Sequence, residues 1–124
     1  MVIISGLTSK YYIPKYSNSN VVRVAWIGEV KNLVHIFKER LIRVNSISPG
    51  VVLTPFHRKR IALKAKEVSV SFEEQLRRET EDIPLHRFGR VTDVAHLILF
   101  LLSNKSEHIN GDNIVLDGGE SRVY

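Results

Sequence analysis

Three short runs rich in β-branched residues, VIIS at 2 to 5, LIRVNSIS at 41 to 48 and NIVLD at 113 to 117, stand so far apart that helices must fill the intervals between them. Successive strands joined by helices pair in parallel, because the chain has to cross over the sheet before the next strand begins. Such crossovers are right-handed. The alternation therefore predicts an α/β fold, a parallel sheet of about three strands with helical crossovers. It also sets a demand. Parallel sheets bury both faces, and a sheet this thin has little chain of its own to cover it.

The first interval holds a polar loop, LTSKYYIPK, and then a proline-free stretch from Tyr16 to Glu39 that reads as one long helix. Its first half, Val21, Val22, Val24, Ala25, Trp26, Ile27 and Gly28, is apolar nearly all the way round, and polar residues gather only from Lys31 onward. Those early turns are expected to be buried on more than one side, against a surface this chain does not obviously contain. Pro49-Gly50 stops the second strand and VVLTPF leads to a basic helical segment over 57 to 66. Ser71 with Glu74 three residues on makes a capping box for a short helix, SFEEQLRRET. Proline 84 and glycine 89 mark a loop, and a further helix over 92 to 103 presents Val94, Leu97, Ile98, Leu101 and Leu102 on one face.

Composition narrows the function classes. Lys and Arg number 18 against 13 Asp and Glu, a formal charge of +5. The basic residues are interleaved with acids and lack interspersed aromatics, so no nucleic-acid partner is expected. There is no cysteine, which excludes disulfides, thiolate metal sites and a cysteine nucleophile. The five histidines are scattered without close ligand spacing, so no metal is expected. The longest apolar run, LILFLL at 97 to 102, is far below the ~20 residues of a membrane span. MVIISG has neither the basic start nor the long apolar core of a signal peptide. A cytoplasmic location away from membranes is the expectation.

The segment KYSNSN at 15 to 20 carries the functional question, because Tyr16 and Asn20 are four apart and share a helix face at about 5–6 Å between Cβ atoms. Each candidate also has a plain structural reading. Ser5 ends a strand, Tyr16 is an amphipathic residue at a helix start, Asn20 is a helix-surface amide, and Pro49-Gly50 is a common strand-ending turn.

Taken in order, VIIS, Tyr16, RVNSISPGVVLTP, IPLHRFGR and INGDNIVLDGG resemble the C-terminal half of a short-chain dehydrogenase/reductase, over essentially the whole chain. The resemblance implies half of a Rossmann-like, doubly wound parallel sheet. It implies a catalytic serine at Ser5, the catalytic tyrosine at Tyr16 and, where the family carries a lysine, Asn20. It also implies a nicotinamide-facing loop at Pro49, Gly50, Val51 and Val52, with Thr54 in place of the threonine that often holds the carboxamide. SNSNVVR and the insertion KEVSVSFEEQLRRET are similar to a subgroup in which asparagine replaces the lysine.

In the family, tyrosine exchanges a proton with the substrate oxygen, serine steadies that oxygen, and the lysine ammonium lowers the tyrosine pKa. A unit charge about 4 Å away contributes ~4 kcal/mol at an effective dielectric of ~20, about three pKa units. Asparagine carries no charge, although Arg23 or Arg43 could replace it. The glycine-rich half that grips the pyrophosphate is absent from these 124 residues, so tight binding of NAD or NADP by this chain alone is not expected. The expected function is NAD(P)-dependent oxidation or reduction of a small alcohol or carbonyl compound once an N-terminal half is supplied. The alternative is a truncated, inactive dimerisation or interaction module. Either implies a homo-oligomer, dimer or tetramer, or a separate N-terminal half as partner.

Overall fold

The computed structural model describes residues 1–122. Strands β1 (Val2–Ile4), β2 (Asn45–Pro49) and β3 (Asn113–Leu116) form one parallel sheet in the order β1-β2-β3, with Ile47 opposite Ile4 on one side and Ile114 on the other. Helix α1 (Ser17–Ile36) carries the first crossover, and α2 (Pro55–Glu67), α3 (Phe72–Glu79) and α4 (Val91–Leu102) make the second. The α/β architecture read from the strand runs is the one observed.

The middle strand is buried from Asn45 to Ser48 although three of those four residues are polar. Asn45, Ser46, Ile47 and Ser48 are all almost fully buried. Hydrogen bonds resolve the conflict. Ser46 Oγ and Ser48 Oγ each donate to Asn113 Oδ1 at 2.8 Å, Ser48 Oγ also bonds Ser9 Oγ at 2.6 Å, and Asn45 Nδ2 donates to the Ile109 carbonyl at 2.9 Å. Buried hydroxyls and amides are tolerated when so paired.

Two boundaries differ from the sequence reading. The second strand begins at Asn45, not Leu41. Leu41 turns into the left-handed region (φ 53°), and Arg43 is drawn sideways to donate to the carbonyls of Leu101, Ser103 and Ile109 at the end of α4 and just beyond it. The long helix stops at Ile36 and gives way to a 3-10 turn over Lys38–Arg40. The capping box at Ser71 is half formed. Ser71 Oγ accepts from the Glu74 N–H, but the Glu74 carboxylate is taken by Arg77 and Arg78, which hold its pKa down to about 2.

The apolar start of α1 is not buried on several sides within this chain. Val21, Val22, Val24 and Trp26 are 71, 57, 54 and 45% exposed. Only Asn20 and Val30 of α1 are buried. A separate core of Ile61, Ile83 and Phe88 lies under α2 and α3, packed on by Val51, Leu53, Phe72 and Leu76. It anchors the loop after β2, which Leu53 N–H to Gly89 O (2.8 Å) and Gly89 N–H to Val51 O (2.9 Å) lock from the other side.

Candidate active site

Parallel α/β sheets bind ligands in the crevice outside the carboxyl ends of their strands. Ser5 follows β1 directly, its N–H donating to Ile47 O at 2.8 Å, and Pro49 closes β2 beside it. A cleft of about 460 Å³ opens there, between Ser5, Tyr16 and the loop of Pro49, Gly50 and Val51. The Ser5 hydroxyl is buried without a hydrogen-bond partner. Tyr16 caps the start of α1, half exposed, with its N–H on Ile13 O at 2.8 Å.

Asn20 faces elsewhere. It is buried rather than on the helix surface, and it does not line this cleft but an adjoining hollow with Thr8, Ser9 and Val24. Its Nδ2 donates to the Ile13 carbonyl at 3.2 Å, the same acceptor that the Tyr16 N–H uses, so the amide braces the turn that presents the phenol. Its Oδ1 has no partner. Val52 and Thr54 also stand outside the cleft lining. Val52 bridges to Gly89, and the Thr54 hydroxyl accepts from the His57 N–H at 3.4 Å as the N-cap of α2.

His57 and Glu120 also line the cleft, and no sequence pattern marks them for it. Arg23, one of the two cations considered in place of the lysine, lines it too, seven residues after Tyr16 on the same helix face. Its guanidinium bonds Thr8 Oγ1 at 2.8 Å and lies against Gly6, where an added Cβ would stand only 2.7 Å from Arg23 Cζ. Arg43, the other candidate cation, is committed to α4. Burial, with the nearby Arg60, lowers the His57 pKa against the pull of Glu79. Burial, and then Asp117, raises that of Glu120. Burial also works against ionised Asp117, but hydrogen bonds from Ser121 and Gly119 outweigh it and hold that carboxyl low.

The residues present suit the nicotinamide end of a dinucleotide. Pro49, Gly50 and Val51 form a wall beside an unpartnered hydroxyl at the strand ends. Nothing suited to the pyrophosphate accompanies them, since no strand-to-helix turn here carries the G-x-G-x-x-G pattern. Among the described residues no group of three His, Cys, Asp or Glu could hold a metal, and no helix is long and apolar enough to cross a membrane.

Comparison with known proteins places the chain by family and fold. Residues 1–121 match the family described as Enoyl-(Acyl carrier protein) reductase. The chain is 34% identical over 119 residues to the 3-oxoacyl-acyl-carrier-protein reductase FabG of Thermotoga maritima, covering 96% of this chain and 44% of that protein. A short chain dehydrogenase family protein from Francisella tularensis superposes with a TM-score of 0.83 at 31% identity, over 96% of this chain and 49% of that one. An NADPH-bound short chain oxidoreductase from Pseudomonas aeruginosa, described as containing an atypical catalytic center, gives 0.83 at 29% identity, over 99% and 46%. This chain thus spans less than half the length of each. With residues 1–121 matched to that family, and relatives and solved structures of the same kind sharing its parallel sheet, the chain belongs to the short-chain dehydrogenase/reductase family.

Proposed function

We propose that these 124 residues form the substrate-facing half of an NAD(P)-dependent oxidoreductase acting on a small alcohol or carbonyl compound, with the pyrophosphate-binding half lying outside them. The observation that carries this reading is the convergence of Ser5, Tyr16 and Pro49-Gly50-Val51 on one cleft. In carbonyl reduction the Tyr16 hydroxyl gives its proton to the substrate oxygen while the Ser5 hydroxyl donates a hydrogen bond to the same oxygen. Alcohol oxidation runs the proton the other way. Pro49, Gly50 and Val51 would hold the nicotinamide, which when bound supplies or takes the hydride. Asn20 acts on Tyr16 through the Ile13 carbonyl, as a positioning residue rather than a charge.

Calorimetry with NADPH tests the reading. The 124-residue chain alone is expected to show no affinity below the millimolar range, about −4 kcal/mol, and micromolar affinity once a glycine-rich half is added. Micromolar binding by the chain alone would place the pyrophosphate in this half and contradict the assignment. No gain on adding the glycine-rich half would contradict it too.

The exposed apolar turns of α1 favour a second reading, an interaction module without catalysis. Val22 with Trp26 on one face of α1, and Val21 with Val24 on another, are uncovered apolar surface of a kind that monomers rarely leave in water. Both readings predict association, most simply a two-fold dimer, through these faces. Light scattering at micromolar concentration is expected to report an oligomer that Val22→Asp, with Val24→Asp, returns to monomer. A well-folded monomer of the unaltered chain would remove that expectation.

A further inference from the structure

Unpartnered buried polar atoms are rare in native proteins, and each calls for a missing partner. Among the described residues five side-chain atoms are in this state, and three of them, Ser5 Oγ, His57 Nδ1 and Glu120 Oε2, belong to residues that line the one strand-end cleft. They come from separate parts of the chain, the end of β1, the first turn of α2 and the segment after β3. Their coincidence in one cleft is a property of the fold and not of a local turn.

The cleft is opened for polar groups by two glycines. At Gly50 an added Cβ would lie 3.1 Å from Glu120 Oε2 and 2.9 Å from Asp117 Cβ, so the missing side chain lets the carboxylate lie over the backbone next to Pro49. At Gly6 the missing side chain admits the Arg23 guanidinium in the same way. Among the described residues that guanidinium has one side-chain partner, Thr8 Oγ1, which leaves further donors. The cleft therefore offers a carboxyl, a neutral imidazole, a hydroxyl and a guanidinium, alongside apolar walls at Leu7, Ile13 and Phe56.

These groups discriminate among substrate chemistries. A plain ketone engages Ser5 and Tyr16 and leaves Glu120 and His57 buried and unpaired, each at a cost of about 1–3 kcal/mol. A carboxylate or phosphate would suit Arg23 but meet the Glu120 carboxyl. A cation would meet the guanidinium. A molecule with several hydroxyls, each able to donate and accept, satisfies all the walls at once.

We propose that the cleft takes a polyhydroxylated carbonyl compound or its alcohol, of sugar type, with Glu120 and His57 reading hydroxyls away from the carbon whose oxygen Ser5 and Tyr16 hold. The proposal rests on the oxidoreductase reading and names its substrate class. Glu120 is the specificity-determining residue, because its approach over Gly50 is the feature an apolar substrate would not need.

The test compares two six-carbon ketones with the carbonyl at the same carbon, D-fructose and 2-hexanone, in the protein completed with its nucleotide-binding half. Glu120→Leu is expected to lower kcat/KM for fructose by about 30-fold or more while raising that for 2-hexanone by about fivefold or more, since the plain ketone no longer leaves a carboxyl unpaired. Glu120→Gln, which keeps a hydrogen-bonding oxygen, is expected to recover most of the loss. Equal change for both ketones, or no change for either, overturns the proposal. So does lower thermal stability with an unaltered fructose-to-hexanone ratio, which would mean that Glu120 only contacts the other half. Titration with sorbitol followed by NMR keeps the test independent of turnover. Shifts at Ser5 and Gly50 that are lost in Glu120→Leu support the proposal, and their absence overturns it even if the protein reduces other carbonyls. The oxidoreductase reading fails separately, if Tyr16→Phe leaves turnover of both ketones intact.

Discussion

Tyr16→Phe, in the chain completed with a nucleotide-binding half, is expected to reduce turnover by about 10²–10⁴-fold while changing NADPH affinity less than twofold. Tyr16 lines the same cleft as Ser5, so on the proposed mechanism its loss removes the group that exchanges the proton with the substrate oxygen. The helix start should survive the change. The residue's backbone N–H to Ile13 O is kept, its ring is half exposed, and the Tyr16 side chain makes no cap hydrogen bond. A structural role alone predicts a different outcome, a stability change within about 1 kcal/mol and no kinetic signature. Single-turnover reduction of a carbonyl substrate by the NADPH-loaded protein separates the two, since it reads the proton-coupled step without product release.

The second large effect is on folding. Asn113→Ala is expected to destabilise the chain by about 2–3 kcal/mol, because the Asn113 oxygen is the acceptor for both Ser46 and Ser48 in the middle of the sheet. Loss of that oxygen leaves Ser46 with only a long contact to the Asp112 carbonyl, at 3.4 Å, and Ser48 with its bond to Ser9. Adding Ser46→Ala and Ser48→Ala to the variant should recover part of the loss, since removing both sides of a buried hydrogen bond costs less than removing one. Urea unfolding of the four variants gives the coupling. Additive losses would mean that the sheet centre is held by packing at Ile47 and not by this polar network.

Much of the architecture could be read from residue patterns because it rests on local features. The three β-branched runs and the helical intervals correspond to the observed strands and crossovers. Ser5, Tyr16 and Pro49-Gly50-Val51 were legible because strand ends and one helix start place them, and these are features a sequence marks. What escaped depends on long-range contacts. Leu41 to Val44 have the composition of a strand, but Arg43 is pulled to carbonyls 58 and 60 residues away. His57 and Glu120 reach the cleft only through the loop anchored on the Ile61 core and through the turn at Gly118-Gly119. That turn requires positive φ at both glycines, and an added Cβ at either would press on Ile83 or Pro84 at 3.1 Å. The i, i+4 spacing of Tyr16 and Asn20 was legible too, yet helical spacing does not say which hollow a short side chain enters. Asparagine is short enough to turn back to Ile13.

That difference between a shared face and a shared cleft bears on the central claim, that Tyr16 is a proton-transfer residue whose usual ammonium partner is replaced by a neutral brace. The pH dependence of alcohol oxidation in the completed protein, measured for the unaltered chain and for Asn20→Lys with and without Tyr16→Phe, tests it most directly. A lysine at 20 is long enough to bring its ammonium toward the phenol and favour the phenolate. Asn20→Lys is expected to raise turnover and move the rising limb of the profile down by at least about one pH unit, toward the full effect of a charge near 4 Å. Tyr16→Phe is expected to remove both gains. An unshifted profile in Asn20→Lys, or a shift that persists when Tyr16 is phenylalanine, would contradict the claim.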